Sequence, residues 1–229
     1  MRYRLIIFDW DGTLMDSVPR IVDCMQRAAR DVGWLPLSDA AVRDIIGLGL
    51  PEAIARLCPG IDSERAERLR ARYSHHFVAA DTKEAPMPFF SGVEAGLEQL
   101  AREPDVQLAV ATGKSRRGLD RIFTERGCGH WFDASRTADL TRSKPDPLML
   151  EELLATLGVP LEEAVMIGDS VHDLGMAQAL GMDRVAVSWG VHDIDTLTAF
   201  APCYAATTFS DLMAWLTQPR EADKRGDQP

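Results

Sequence analysis

Four short apolar runs, each closed by Asp, Gly, Thr or Ser, constrain this chain more than any other feature: residues 5–8, 106–111, 164–167 and 185–187. Runs of this length bounded by turn residues read as buried strands, and their unbroken apolar character suits a parallel sheet covered on both faces. Between the runs lie segments with helical spacing, 93–102, 116–125, 148–157 and 174–180. Gly127, Gly158 and Gly181 stand where three of these helices would end, because glycine takes the left-handed backbone of a C-cap without steric cost. Alternating strands and helices imply right-handed crossovers with helices above and below the sheet.

The stretch between the first and second runs breaks that rhythm. Residues 18–32, 39–46, 51–57 and 63–80 all carry helical patterns, with Ser38, Pro51 and Ser63 placed as starts, and no strand pattern falls among them. The expected fold is therefore α/β: a Rossmann-like parallel sheet core with helices on both faces, residues 1–17 and 84–216, plus an inserted all-helical cap subdomain, residues 18–83. A chain of 229 residues is long enough for one sizeable core and a smaller insertion. The Pro-rich segment Ala85-Pro86-Met87-Pro88-Phe89-Phe90 suits a linker out of the insertion. Residues 217–229 are polar with no apolar period and are expected to be a disordered tail.

A formal net charge of -10 argues against a nucleic-acid surface, which normally carries a basic stripe. No apolar run approaches a membrane span, and the start, Met1-Arg2-Tyr3-Arg4, has no signal-peptide pattern. Cys24, Cys58, Cys128 and Cys203 are scattered without a C-x-x-C pair, which indicates neither a zinc site nor a disulfide framework. The expected location is the cytoplasm, with no nucleic-acid or membrane partner, as a monomer or homodimer.

The chemistry gathers at the ends of the strand runs. Asp9-Trp10-Asp11-Gly12-Thr13-Leu14 follows the first run and sets two carboxylates two residues apart at a strand's carboxyl end, where ligands bind in open α/β sheets. Gly12 permits a tight turn, so both carboxylates can converge on one point. Paired carboxylates repel unless a cation lies between them, and hard oxygen donors suit Mg2+. After the second run comes Thr112-Gly113-Lys114-Ser115, whose hydroxyl and backbone N–H groups face a helix start that would take an anion; a plain N-cap is the competing reading. Ser143-Lys144-Pro145-Asp146-Pro147 stiffens the backbone around one cation. The chain has lysine at only four positions, 83, 114, 144 and 224, so two of them stand at candidate anion sites. Gly168-Asp169-Ser170-Val171-His172-Asp173 follows the third run: Asp169 can complete the carboxylate set, with Asp173 one turn on as a second ligand or an orienter. Capping by Asp169 or Ser170 is the alternative there.

This order, D-x-D-G-T-L-x-D-S, a Thr-ended strand, S-K-P-x-P and G-D-S-x-x-D, resembles the haloacid dehalogenase superfamily in its phosphatase branch with a helical cap. The resemblance covers nearly the whole chain except the tail. It implies that Asp9 is a nucleophile forming an aspartyl-phosphate and that Asp11 protonates the leaving group and then activates water. By the same resemblance Thr112 hydrogen-bonds the transferring phosphoryl group, Lys144 neutralises it, and Asp169 holds Mg2+ with Asp9 and the Asp11 backbone carbonyl. Those roles suit phosphoryl transfer, which needs in-line positioning and charge neutralisation.

Asp11 disfavours the dehalogenases of this superfamily, which lack that aspartate, and the insertion's only lysine, Lys83 at its exit, disfavours phosphonate cleavage through a cap Schiff base. The expected activity is Mg2+-dependent hydrolysis of a small phosphorylated metabolite, phosphoglycolate-like or a sugar phosphate. A sugar phosphomutase and a non-catalytic phosphate-metabolite-binding protein are the alternatives. Ile45-Ile46-Gly47-Leu48-Gly49-Leu50-Pro51-Glu52 resembles the substrate loop of phosphoglycolate phosphatase-like enzymes, which makes Gly47 a candidate substrate contact beside Gly113 and Lys114. Thr112-Gly113-Lys114 resembles the Thr-Asn-Lys of those enzymes, with Gly in place of Asn. Arg116, Arg117, Tyr73, His75 and His76 are further candidates for substrate contact, and His172 is given no role.

Overall fold

The computed structural model describes residues 1–83 and 86–218. The exit of the expected insertion at residues 84 and 85 and the expected tail from 219 on lie outside the described residues. The strands are β1 (Leu5–Phe8), β2 (Gln107–Thr112), β3 (Ala134–Thr137), β4 (Ala164–Gly168), β5 (Asp183–Val187) and β6 (Tyr204–Ala206). They form one sheet in the order β3-β2-β1-β4-β5-β6, with every pairing parallel. The helices are α1 (Val18–Asp31), α2 (Asp39–Asp44), α3 (Leu50–Leu57), α4 (Ser63–Lys83), α5 (Val93–Leu100), α6 (Arg116–Arg126), α7 (Leu148–Leu157), α8 (Val171–Leu180), α9 (Ile194–Thr198) and α10 (Phe209–Leu216).

Strand periodicity divides the core. Ile6, Phe8, Leu108, Val110, Val165 and Ile167 point to one face, where Leu97, Leu119 and Leu212 cover them from α5, α6 and α10. Leu5, Ile7, Ala109, Ala111 and Met166 point to the other and meet Leu150, Leu153 and Met176 from α7 and α8. Ile6 and Ile7 are both fully buried, and each such side chain contributes about 2 kcal/mol relative to exposure. The four apolar runs therefore sit in β1, β2, β4 and β5, as their patterns predict. Two strands go beyond that expectation. β3 and β6 are the edge strands of the sheet; Ala134, Ser135 and Arg136 of β3 are only half-buried and form no apolar run, and β6 is three residues of small or amphipathic side chains just after Pro202, too short to stand out.

The register decides where chemistry can occur. β1 lies between β2 and β4, with Phe8 level with both Val110 and Ile167, so the carboxyl ends of three strands stand side by side. Strand order reverses around β1, and this is the switch point at which a crevice opens in a doubly wound sheet. The segment from α1 to α4 contains no strand, as its patterns predict, and α1 packs along α4. Its apolar side chains join the cluster on the β1 face rather than forming a separate core. Gly127, Gly158 and Gly181 all end helices in the left-handed conformation, at φ 64, 65 and 75°. α8 begins at Val171, three residues before the apolar period suggests, because Ser170 and Asp173 close a reciprocal capping box ahead of it.

Candidate active site

Past Phe8 the chain adds one more ladder bond, from the Asp9 N–H to the Ile167 carbonyl at 2.9 Å, and then turns at Gly12 with φ +87°. Gly12 meets two demands there. Left-handed backbone disfavours a side chain, and a Cβ at this position would overlap the Asp169 carboxylate. Lys144 Nζ lies 2.6 Å from Asp9 Oδ1 and 2.6 Å from Asp173 Oδ1, with its side chain fully buried. Asp173 Oδ2 accepts from the Ser170 N–H at 3.1 Å and the Ser170 hydroxyl at 2.6 Å. Asp169 accepts from the Thr13 hydroxyl at 2.6 Å and from the Val191 N–H at 2.8 Å. The carboxylate oxygens of Asp9, Asp169 and Asp173 lie within 4.8 Å of one another.

Asp11 turns the other way. Its Oδ1 accepts from the Ser17 hydroxyl at 2.5 Å and pairs with Lys114 Nζ at 2.9 Å, and the residue lines a cavity rather than the three-carboxylate cluster. Thr112 is fully buried at the end of β2, with its hydroxyl oxygen accepting the Lys114 N–H at 3.2 Å. The N-cap of α6 is Ser115, which accepts from the Gly118 N–H at 3.2 Å, so the capping alternative falls on Ser115 and not on Thr112.

Burial raises the Asp9 pKa well above the usual carboxylate value, Asp173 and Asp169 push the same way, and Lys144 opposes them. Asp169 is pushed up to about 7 by burial and by Asp173, against hydrogen bonds from Thr13 and Val191. Burial would lower Lys144, yet the charges of Asp173 and Asp9 outweigh it and hold the ammonium protonated. Three buried carboxylates thus face one ammonium, an excess of negative charge that is costly away from water. A divalent cation among hard oxygen donors relieves that excess, so the donor set fits a metal ion of the Mg2+ type.

On the side of α1 to α4, the loop between α2 and α3 lies against the floor. Gly47, at φ +104°, packs on Ser170 and His172, and the Gly49 N–H donates to Ser143 Oγ at 2.7 Å. A Cβ at Gly113 would overlap the carbonyl oxygens of Gly47 and Leu48, which gives the Gly at this position a physical reason. His172 Nε2 donates to the Asp44 carbonyl at 2.9 Å, and burial lowers the His172 pKa, so a neutral ring tethers this loop. Between α1, α3, α4 and the turn after β2 lies a cavity of 890 Å³, with Asp11, Gly47, Gly113 and Lys114 in its lining. Tyr73, His75 and Arg117 also line it. His76 instead bonds Asp31 on α1 at 2.7 Å, and Arg116 bonds Ser135 at 2.9 Å. Sequence reasoning singled out neither Ser17, Thr13 nor Ser143 by role, although each sits inside a motif it quoted. The Val191 N–H carries no sequence signal, because any residue except proline supplies that donor.

The family model described as haloacid dehalogenase-like hydrolase matches residues 6–187. Among curated relatives, the probable phosphatase IndB of Dickeya dadantii is 35% identical over 91% of this chain and 91% of its own. The phosphoglycolate phosphatase of Vibrio cholerae is 30% identical, covering 92% of this chain and 95% of that protein. The crystal structure of a haloacid dehalogenase-like hydrolase from Bacteroides fragilis superposes with a TM-score of 0.82 at 27% identity, covering 92% of this chain and 100% of that one. With the match running through every strand that carries a candidate site residue, the chain belongs to the haloacid dehalogenase-like hydrolase family.

Proposed function

We propose that the protein is a Mg2+-dependent phosphatase of small phosphomonoesters that works through an aspartyl-phosphate on Asp9. The observation that carries this reading is the pairing of Asp9 with a buried ammonium, Lys144 at 2.6 Å, while a second carboxylate, Asp11, faces the adjoining cavity. Asp9 supplies the attacking oxygen: its bond to phosphorus forms as the bond from phosphorus to the ester oxygen breaks. Asp11 gives its proton to that departing oxygen and then takes one from the water that cleaves the acyl phosphate, so hydrolysis proceeds in two easier steps. Lys144 and the Thr112 hydroxyl act on the phosphoryl oxygens, where charge must be neutralised. Mg2+, held by Asp9, Asp169 and the Asp11 carbonyl, would add to that neutralisation. Asp173, with one oxygen on Lys144 and the other on Ser170, orients the ammonium and completes the acidic set. The α1 to α4 segment serves as a cap, covering the site and excluding water.

Relatives named phosphatase and phosphoglycolate phosphatase favour phosphoester substrates over halides. The test is phosphate release from a panel of phosphomonoesters, 2-phosphoglycolate and sugar phosphates included, with Mg2+ and with EDTA. Metal-dependent release is expected; release from no ester under any condition would overturn the reading.

A further inference from the structure

The cavity above Asp11 is lined by two chemically different kinds of residue. Asp11 and Lys114 are charged, as is Arg117 on the first turn of α6. The lining also includes Ile21, Met25, Ile46, Tyr73, Phe77 and Val78, a wall drawn from α1, the segment after α2, and α4. Lys114 touches both kinds: its ammonium bonds Asp11 at 2.9 Å and lies 4.9 Å from the centre of the Phe77 ring. Polar groups also line the cavity along α4, among them Arg70, whose guanidinium is tied to Glu67 at 2.5 Å.

Size decides what such a cavity is for. Its 890 Å³ lies near the top of the range of about 300–1,000 Å³ for sites that enclose drug-sized ligands. A two-carbon ester would occupy a small part of it and leave the half-buried Tyr73 and the 43% exposed Val78, with the edges of the buried Ile46 and Phe77, open to the cavity. Apolar wall that faces water gains nothing, whereas covering it is worth about 25 cal/mol per Å². The wall is also no byproduct of a bare surface, because Met25, Ile46 and Phe77 belong to the apolar cluster that continues to the sheet.

We infer that the substrate is an amphipathic phosphomonoester whose leaving group carries a sizeable apolar body, seated between Ile46, Tyr73, Phe77 and Val78 while the phosphate lies past Asp11, toward Asp9. This deepens the phosphatase reading and rests on it. A polar two-carbon ester such as 2-phosphoglycolate is then a poor substrate.

The experiment uses the full chain with Mg2+ and an n-alkyl phosphate series from methyl to octyl, with 2-phosphoglycolate alongside. The expected kcat/KM rises about two- to fourfold per methylene until the cavity is filled. Val78→Asp, at a position 43% exposed and therefore tolerant of polarity, should flatten that rise by placing a charge in the wall. A kcat/KM independent of chain length, or 2-phosphoglycolate hydrolysed faster than every alkyl ester, would overturn the inference. Dissociation constants for the matching alkyl phosphonates, which cannot be hydrolysed, keep the two readings separate. If no ester releases phosphate but phosphonate affinity climbs with length, the phosphatase reading fails and the cavity assignment stands; flat affinity overturns the assignment whatever the kinetics.

Discussion

The floor at the strand ends and the helical wall above it solve opposite problems. On the floor, four charged side chains, Asp9, Lys144, Asp169 and Asp173, are 1% exposed or less, and each is fixed by a short bond to another charge, a hydroxyl or a backbone amide. The wall is apolar, and the loop beneath it meets the floor through small contacts: Gly47 on Ser170, Gly49 on Ser143, the Asp44 carbonyl on His172. Groups that must not move are tied by several strong bonds at once, and the loop of Gly47 and Gly49 meets them through a few weak ones. Chemistry should therefore be brittle and specificity adaptable.

That contrast breaks first at Lys144. Lys144→Met leaves Asp9 and Asp173 buried without their cation, a loss of about 3–5 kcal/mol of stability by denaturant unfolding, and it should cut turnover by at least about a hundredfold. Stability unchanged would mean that the floor is not electrostatically tied. Asp11→Asn comes next, with a loss of about 10²–10⁴ in kcat for alkyl phosphates, whose leaving oxygen needs a proton, and a much smaller loss in the first step for aryl phosphates, whose leaving oxygen does not. Equal losses on both would remove Asp11 from the acid role. Mg2+ should raise thermal stability by about 2.7 kcal/mol at a hundredfold excess over its dissociation constant, and Asp169→Asn should abolish that response. On the adaptable side, Gly113→Asn pushes against the Gly47 and Leu48 carbonyls; about 1–3 kcal/mol of overpacking should appear mainly as a raised KM, with kcat nearly kept. A fall in kcat alone would place that contact within the chemistry.

The smallest effect lies far from the floor. Asp31 on α1 pairs with Arg72 and His76 on α4 at 2.6 and 2.7 Å, and those hydrogen bonds hold its pKa below 3.8. A lowered folded value means that the stabilisation is present above 3.8 and is lost as pH falls through the folded value. Asp31→Asn should slightly lower the melting temperature at neutral pH and leave it unchanged in strong acid.

Legibility in the sequence followed the same divide. Asp9 and Asp169 could be read because central strands announce themselves as apolar runs and these carboxylates stand at their ends, with Asp173 one helical turn on, whereas Lys144 was legible from its flanking prolines and from the scarcity of lysine in the chain. Ser115 as the cap of α6, and the early start of α8 at Val171, followed from hydrogen bonds that several nearby hydroxyls and carboxylates could equally have made. β3 escaped because an edge strand is buried on fewer sides and needs no apolar run, and β6 because it is only three residues long. The reason for Gly113 was invisible for a different cause. It depends on the Gly47 and Leu48 carbonyls, more than sixty residues earlier, coming within contact of a position that has no side chain. The cavity wall is assembled from α1, α4 and the segment after α2, so no single stretch of sequence carries it.

The most direct test of the central claim is to quench the wild-type enzyme in acid during turnover of an aryl phosphate, reduce with borohydride and map the modified peptide by mass spectrometry. The expected result is one modification, at Asp9, that forms in Asp11→Asn as well and is absent from Asp9→Asn together with all phosphate release. Modification at another residue, or steady release of phosphate by Asp9→Asn, would contradict it.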